Sequence, residues 1–191
     1  MIINKIKGII IEFLEDSKKI EFSNIYNEFS LQHELGIYLR NYLKDSYKIE
    51  FERNINFFFT EDVDKSLFTK KEIEIVIYSK EKKEKYAIEI KHPLNGQYPE
   101  QMFSFIKDLK FLEELKTNGF TGTISLVLVK DKPFYEGRRV KGIYQFFRCN
   151  NILKGTIEKP TGSDKCNIKL KDSYTINWVE LENEYKFYIL D

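Results

Sequence analysis

The sequence predicts a mixed β-sheet covered by helices, in the α/β or α+β class, and three observations carry that expectation. Two short apolar runs, Glu72 to Tyr78 and Lys85 to Lys91, flank the charged turn Ser79-Lys80-Glu81-Lys82-Lys83-Glu84, the pattern of a hairpin. A helical stripe follows from about Pro99 to Thr117, and after it the apolar run Thr123 to Val129. Hairpin, crossover helix and buried strand together make a mixed sheet with helices on its faces. At 191 residues the chain is long enough to bury a core as one domain.

The elements follow in order. Apolar residues at Ile3, Ile6, Ile10, Phe13 and Leu14, with charges between them, make the start an amphipathic helix rather than a signal peptide or a membrane span. The expected setting is therefore cytoplasmic, with no membrane partner. Ser30 is expected to cap a second helix whose stripe is Leu31, Leu35, Tyr38, Leu39 and Tyr42. Tyr47 to Phe59 reads as an extended strand, and the acidic, hydroxyl-bearing stretch Thr60 to Thr69 as a loop. Beyond the hairpin, His92-Pro93-Leu94-Asn95-Gly96 breaks the chain. The long helix then presents Met102, Phe105, Ile106, Leu109 and Leu112, with Pro99 suited to its first turn and Gly119 to the position just past its end.

The last part differs in character. Strand-like pieces at Leu153 to Glu158, Cys166 to Leu170, Tyr174 to Glu180 and Glu184 to Leu190 are split by Pro160-Thr161-Gly162-Ser163. The reading is a core over residues 1–150, including the N-terminal helices, and a β-rich extension of the same domain over 151–191. That extension either lengthens the sheet or forms a small antiparallel appendage. Cys149 and Cys166 lack metal-ligand spacing and read as free thiols of a reducing compartment.

A net charge of +1 announces no polyanionic partner, but its distribution is uneven. From Lys130 to Asp172 there are eleven Lys and Arg against five Asp and Glu, so the rest of the chain is net acidic. Within this basic arm Arg138, Arg139 and Lys141 are candidate phosphate contacts; a Lys-rich solvated surface is the plainer alternative.

The most informative local feature is Glu89-Ile90-Lys91. On a strand, alternation puts Glu89 and Lys91 on one face and Ile88 and Ile90 on the other. Acid-x-Lys also occurs at Asp16, Glu81, Asp108, Glu114 and Glu184, mostly in predicted helices and charged loops. The plain alternative for the strand copy is a solvated face whose ion pairs contribute ~0–1 kcal/mol each. The chemical alternative is a phosphodiester site, which needs a cation, an activated water and charge stabilisation at the leaving oxygen. Glu74 and Glu89 on adjacent strands, with the carbonyl of Ile90, offer the oxygen ligands that Mg²⁺ or Mn²⁺ prefers. Lys91 is placed to orient or deprotonate the attacking water. Glu34 and Gln101 each sit beside an apolar helical stripe, where a polar group facing the sheet needs a partner. His33 and His92, the only histidines, are too few for a histidine zinc site and read as structural.

The order helix with Glu34, strand with Glu52, Glu74-Ile75-Val76-Ile77, Glu89-Ile90-Lys91 and helix with Gln101 resembles the PD-(D/E)xK nuclease superfamily, over about Ser30 to Val129. The resemblance implies a restriction-endonuclease-like αβββαβ core with its site at the open end of the hairpin. It implies Glu74 as the first acid, Glu89 and Lys91 as the second motif, and Glu34 and Gln101 as accessory helix residues. The chain departs from the pattern in having Glu74 preceded by Ile73 rather than an Asp preceded by Pro. Glu72, on the same strand face, is an alternative ligand. The expected function is a Mg²⁺-dependent DNA endonuclease of restriction or defence type, with RNA an alternative substrate and a homodimer the simplest way to cut both strands. The alternative is a catalytically inactive nucleic-acid-binding or assembly module, since fold does not settle chemistry.

Overall fold

A computed structural model describes residues 2–16, 25–59, 63–94, 96–162, 166–181 and 184–191 of the chain. Its first helix, α1 (Ile2–Asp16), buries Ile3, Ile6, Ile10, Phe13 and Leu14, as the helical period requires. The next helix, α2 (Glu28–Leu43), is capped by Asn27 rather than Ser30. Asn27 Oδ1 accepts from Ser30 N at 2.8 Å, and Ser30 Oγ accepts from Asn27 N at 3.0 Å. Ser30 is therefore the third helical residue and the reciprocal half of a capping box. Both residue types cap well, so the sequence left the choice between them open.

Strand β1 (Lys48–Asn54) is shorter than the expected run to Phe59. Asn54 Oδ1 accepts from Asn56 N at 3.0 Å and turns the chain into a single 3-10 turn, Ile55–Phe57. Of the expected loop, Thr60 to Asp62 lie outside the described residues, and Lys65–Leu67 form another 3-10 turn. Strands β2 (Glu72–Tyr78) and β3 (Lys85–Lys91), helix α3 (Tyr98–Thr117) and strand β4 (Gly122–Val129) lie close to where the sequence put them. Gly119, just past the end of α3, takes a φ of 94°, a left-handed conformation that glycine adopts without a steric penalty. A short helix α4 (Tyr144–Arg148) leads to β5 (Leu153–Glu158), β6 (Asn167–Tyr174), β7 (Val179–Glu180) and β8 (Lys186–Leu190). Of the expected Tyr174 to Glu180 strand, Tyr174 ends β6, paired with Leu153, and Val179–Glu180 form β7.

Among the described residues a six-stranded sheet runs β1-β2-β3-β4-β8-β7, and β5 and β6 form a separate hairpin. Strands β3 and β4 are parallel, and the other neighbouring pairs are antiparallel. The fold is thus a mixed α+β sheet containing the order α2-β1-β2-β3-α3-β4. The C-terminal residues do both of the things the sequence allowed: β8 and β7 lengthen the sheet, and β5–β6 stands apart.

Strand alternation sorts the two faces. Ile75, Ile77, Ile88, Ile90, Ile124, Leu126 and Leu128 pack with α1 and α2. Val76, Tyr78 and Ala87 pack on the other side with Phe111, Leu112 and Leu115 of α3. Helix α2 comes close to β1 because position 36 is glycine; a Cβ there would collide with the ring of Phe51. Sequence parity then dictates that Glu74, Glu89 and Lys91 share the α3 side of the sheet.

The β5–β6 hairpin is fastened to α3 by one buried acid. Glu113, whose side chain is 2% exposed, accepts from the backbone N of Lys171 at 3.0 Å and of Asp172 at 2.8 Å, and from Tyr174 Oη at 3.3 Å. Burial, and then that carboxylate, raise the Tyr174 pKa and keep the phenol a donor. Glu113→Ala strips the charged acceptor from these buried donors, and we expect a loss of about 3 kcal/mol. In hydrogen exchange the hairpin amides should lose protection first, with the six-stranded sheet retained; uniform loss over the sheet would contradict a local latch.

Candidate functional site

The ladder between β2 and β3 is regular from Tyr78 and Lys85 to Ile75 and Ile88. Beyond it, side-chain oxygens take the place of ladder carbonyls. Glu89 Oε1 accepts from the Glu74 backbone N at 3.3 Å, and Glu74 Oε2 accepts from the Ile90 backbone N at 2.6 Å. Each acid is thereby oriented by the strand opposite, at the open end of the hairpin. Pairing between β1 and β2 skips Glu52 and Glu74 as well. Glu52 takes a left-handed φ of 47°, and Gln32 Nε2 of α2 donates both to Glu52 Oε1 and to the Glu74 carbonyl, each at 2.6 Å. Gln32 thus satisfies a carbonyl that the neighbouring strand leaves unpaired.

Two ammonium groups fill the space between the acids. Lys70 Nζ is hydrogen-bonded to Glu89 Oε2 and lies 3.0 Å from Asp108 Oδ1 and 3.4 Å from Glu74 Oε1. Lys91 Nζ lies 3.0 Å from Glu74 Oε1, 2.9 Å from Glu28 Oε1 and 3.3 Å from Asp108 Oδ2. It also donates to its neighbour's carbonyl, Ile90 O, at 2.8 Å. Glu28 Oε2 accepts from His92 N at 3.1 Å, so the first turn of α2 is tied to the end of β3. The side chains of Glu89 and Asp108 are 0% and 4% exposed, whereas that of Glu28 is 41% exposed and marks the open side.

Burial alone would lower both lysine pKa values, but the surrounding carboxylates outweigh it. Lys91 is held above its usual range by Asp108, Glu74 and Glu28, and Lys70 by Glu89, Asp108 and Glu74. As placed, Lys91 donates to Glu28, Glu74 and the Ile90 carbonyl. The Glu89 carboxyl is pushed up by burial and then by repulsion from Glu74 and Asp108, against the pull of Lys70. Asp108 is pushed up by burial despite Lys91 and Lys70.

The cluster joins Glu74, Glu89 and Lys91 as expected, and Gln101 lines the adjoining cleft with Glu28, Lys91, His92, Leu94 and Ser104. Glu34 is not part of it. Helix α2 buries Gln32 and Gly36, so Glu34, about 200° around the helix from either, turns outward and stands 3.8 Å from His33. Glu72 stays exposed at the first position of β2. The Ile90 carbonyl, an expected metal ligand, is taken by Lys91. His92 is structural, its Nδ1 3.0 Å from the Leu128 carbonyl. Arg138, Arg139 and Lys141 are exposed before α4, with Arg139 over the Tyr144 ring at 5.3 Å.

The sequence reading missed Glu28, Gln32, Lys70 and Asp108. Asp108 was findable, since it stands three residues after Phe105 and four before Leu112 on the buried stripe. Lys70 lies in a loop before β2, where no periodicity points to it.

A divalent cation suits the donor set but not its present spacing. Glu74, Glu89 and Asp108 supply only oxygens around one point, and four carboxylates face two ammonium groups. The buried Tyr188 hydroxyl has no hydrogen-bond partner among the described residues, and Asp108 Oδ2 has only its ion pair with Lys91. Yet the acids stand at ammonium distance, about 3 Å, where Mg²⁺ needs ~2.1 Å. Accordingly no group of three or more His, Cys, Asp or Glu among the described residues is arranged to hold a metal ion as it stands. Lys70 would have to withdraw and the carboxylates close in.

The Glu89 shift has a defined sign. A carboxyl whose folded pKa lies above its unfolded value near 4.5 contributes stability that is full below that pH and falls as pH rises through the folded value. In EDTA, the melting temperature of Glu89→Gln should vary less from pH 4.5 upward than that of the wild type. Equal slopes would show that Glu89 is not the strained carboxyl. Comparison with family models, curated proteins and solved structures found no match to this chain.

Proposed function

We propose that the chain is a divalent-cation-dependent nuclease of the PD-(D/E)xK kind, hydrolysing phosphodiester bonds in DNA. The observation that carries this reading is the convergence of Glu74, Glu89 and Lys91 at the open end of the hairpin, with Asp108 added from α3. Glu74, Glu89 and Asp108 would hold the cation. Bound there, it would supply Lewis acidity toward a phosphate oxygen and acidify a water. The chain's own share is positional. Lys91 holds an ammonium at the cleft side, where it can donate to a phosphate oxygen or fix a water; Glu28 and the Ile90 carbonyl aim it. The hydrogen bonds from Glu74 N and Ile90 N keep the two strand acids pointing inward before any substrate arrives.

A second reading is favoured by Lys70. Its ammonium sits among the three acids, so a module that keeps the sheet but binds no cation would look like this. One variant separates the two. Lys70→Ala removes the competing charge, and in the nuclease reading calorimetry should then register tighter Mn²⁺ binding than in the wild type, abolished in turn by adding Glu89→Ala. In the silent-module reading neither protein binds Mn²⁺, and neither nicks supercoiled plasmid in Mg²⁺ or Mn²⁺.

For the chemistry itself, Lys91→Ala should retain metal binding and cut plasmid about 10²–10³-fold more slowly, the usual cost of a lost charge-stabilising donor. Undiminished cleavage by Lys91→Ala would remove Lys91 from the mechanism.

A further inference from the structure

Helix α3 carries the cluster on one side and a basic groove on the other. Asp108 faces the sheet, while Lys107 and Lys110 of the same turn line a groove whose opposite wall is the C-terminal hairpin, with Lys159 and Lys169. Glu100 is the one acid among the lining residues. Lys110 is partly balanced by Glu113 and Glu114, at 3.9 and 3.7 Å, but Lys107, Lys159 and Lys169 make no ion pair among the described residues. In a chain of net charge +1, four lysines against one acid are a marked local excess.

The groove shares a lining residue with each of two neighbouring depressions. Ser104 borders both it and the cleft that holds Lys91 and Glu28. Lys159 borders both it and a further depression lined by Arg139 and Lys141. The two walls are held at fixed separation, since Glu113 of α3 binds the backbone of β6 at Lys171 and Asp172. Thr69, next to Lys70, is fixed at the rim by Glu114, which accepts from Thr69 N at 2.6 Å and Thr69 Oγ1 at 2.8 Å.

We infer that a nucleic-acid strand lies along this track, its phosphates running from the acid cluster past Ser104, between α3 and the β5–β6 hairpin, to Arg139 and Lys141. The inference rests on the nuclease reading and gives the C-terminal hairpin a function, as the second wall of the substrate groove. A row of exposed ammonium groups suits a regularly spaced polyanion, because each lysine neutralises a phosphate as a point charge and needs no defined base. The expected binding is therefore sequence-tolerant and strongly dependent on salt.

The test compares two variants of equal charge change. Lys107→Gln, Lys159→Gln and Lys169→Gln together remove groove charges. Lys48→Gln, Lys80→Gln and Lys83→Gln together remove exposed charges around the turn end of the hairpin, opposite the cluster. Binding of a fluorescein-labelled oligonucleotide, single-stranded and duplex, is followed by anisotropy across a salt series, in EDTA and in Ca²⁺. The groove variant should bind at least tenfold more weakly and lose ~0.7 per removed contact from the salt slope on single strands, or ~0.9 on duplex. The turn variant should match the wild type. If the two variants weaken binding equally, or the groove variant binds like the wild type, the track is wrong while the nuclease reading stands. If the wild type binds neither oligonucleotide, the nucleic-acid reading falls and the track with it.

Discussion

The structure depends on holding four carboxylates and two ammonium groups together at the edge of an apolar core. Removing a charge from water costs several kcal/mol, and a pair recovers this only with good geometry and further hydrogen bonds. Here the cost is met by sharing. Lys70 is divided among three acids and Lys91 among three, and backbone N–H groups serve Glu74 and Glu89. The sharing is possible only because β2, β3, α2, α3 and the loop before β2 each deliver one or two groups to the same point. Ile88 and Ile90, buried on the opposite face, fix which way Glu89 and Lys91 point; a register slip of one residue would bury the ions among α1 and α2. The apolar core and the charged cluster are two faces of one alternation.

How much of this was legible in the sequence follows from that alternation. Parity alone puts Glu74, Glu89 and Lys91 on one side, so the strand half of the cluster could be read directly. The helical half depended on which way each helix is turned. For α3 the apolar stripe fixes the orientation, and Asp108 lies within it. For α2 the stripe is ambiguous, because Gly36 carries no side chain to mark the buried side and Tyr38 and Tyr42 mimic a continuation of it. The helix turns Gln32 and Gly36 inward because Gly36 permits close approach to Phe51. Glu28 and Gln32 then enter the site in place of Glu34. Lys70 was illegible for a different reason: its position is set by Thr69 being held to Glu114, a contact between residues 45 apart.

The C-terminal residues are built into the same scheme. Strand β8 pairs with β4, the strand parallel to β3, and so extends the sheet under the cluster. It brings Tyr188, buried with its hydroxyl unpartnered among the described residues and its pKa raised by burial and then by Asp108. The neutral phenol, within electrostatic reach of Asp108, adds a potential donor without another charge. Hairpin β5–β6 is attached through Glu113, five residues further along the helix that carries Asp108. One helix therefore spaces the cluster from the groove wall, and its rigidity sets the distance between them.

In the proposed nuclease Lys70 and a divalent cation would compete for one set of oxygens, and the competition would be unequal in kind. The ammonium is tethered four residues from Glu74, so it returns at a high effective concentration and loses little entropy in doing so. It brings one charge to four carboxylates that otherwise face Lys91 alone, and it keeps the acids near 3 Å from its nitrogen. A divalent ion would bring two charges in place of one and draw the carboxylates inward, but must first displace the lysine. The raised Glu89 carboxyl lies on the lysine's side of this balance, since partial protonation relieves the same excess charge that would attract a metal. Lys70, protons at Glu89 and a divalent cation are thus three ways of neutralising one buried site. In the proposed reading, whichever binds best would set whether the hairpin end is a closed ion-pair network or an open catalytic centre.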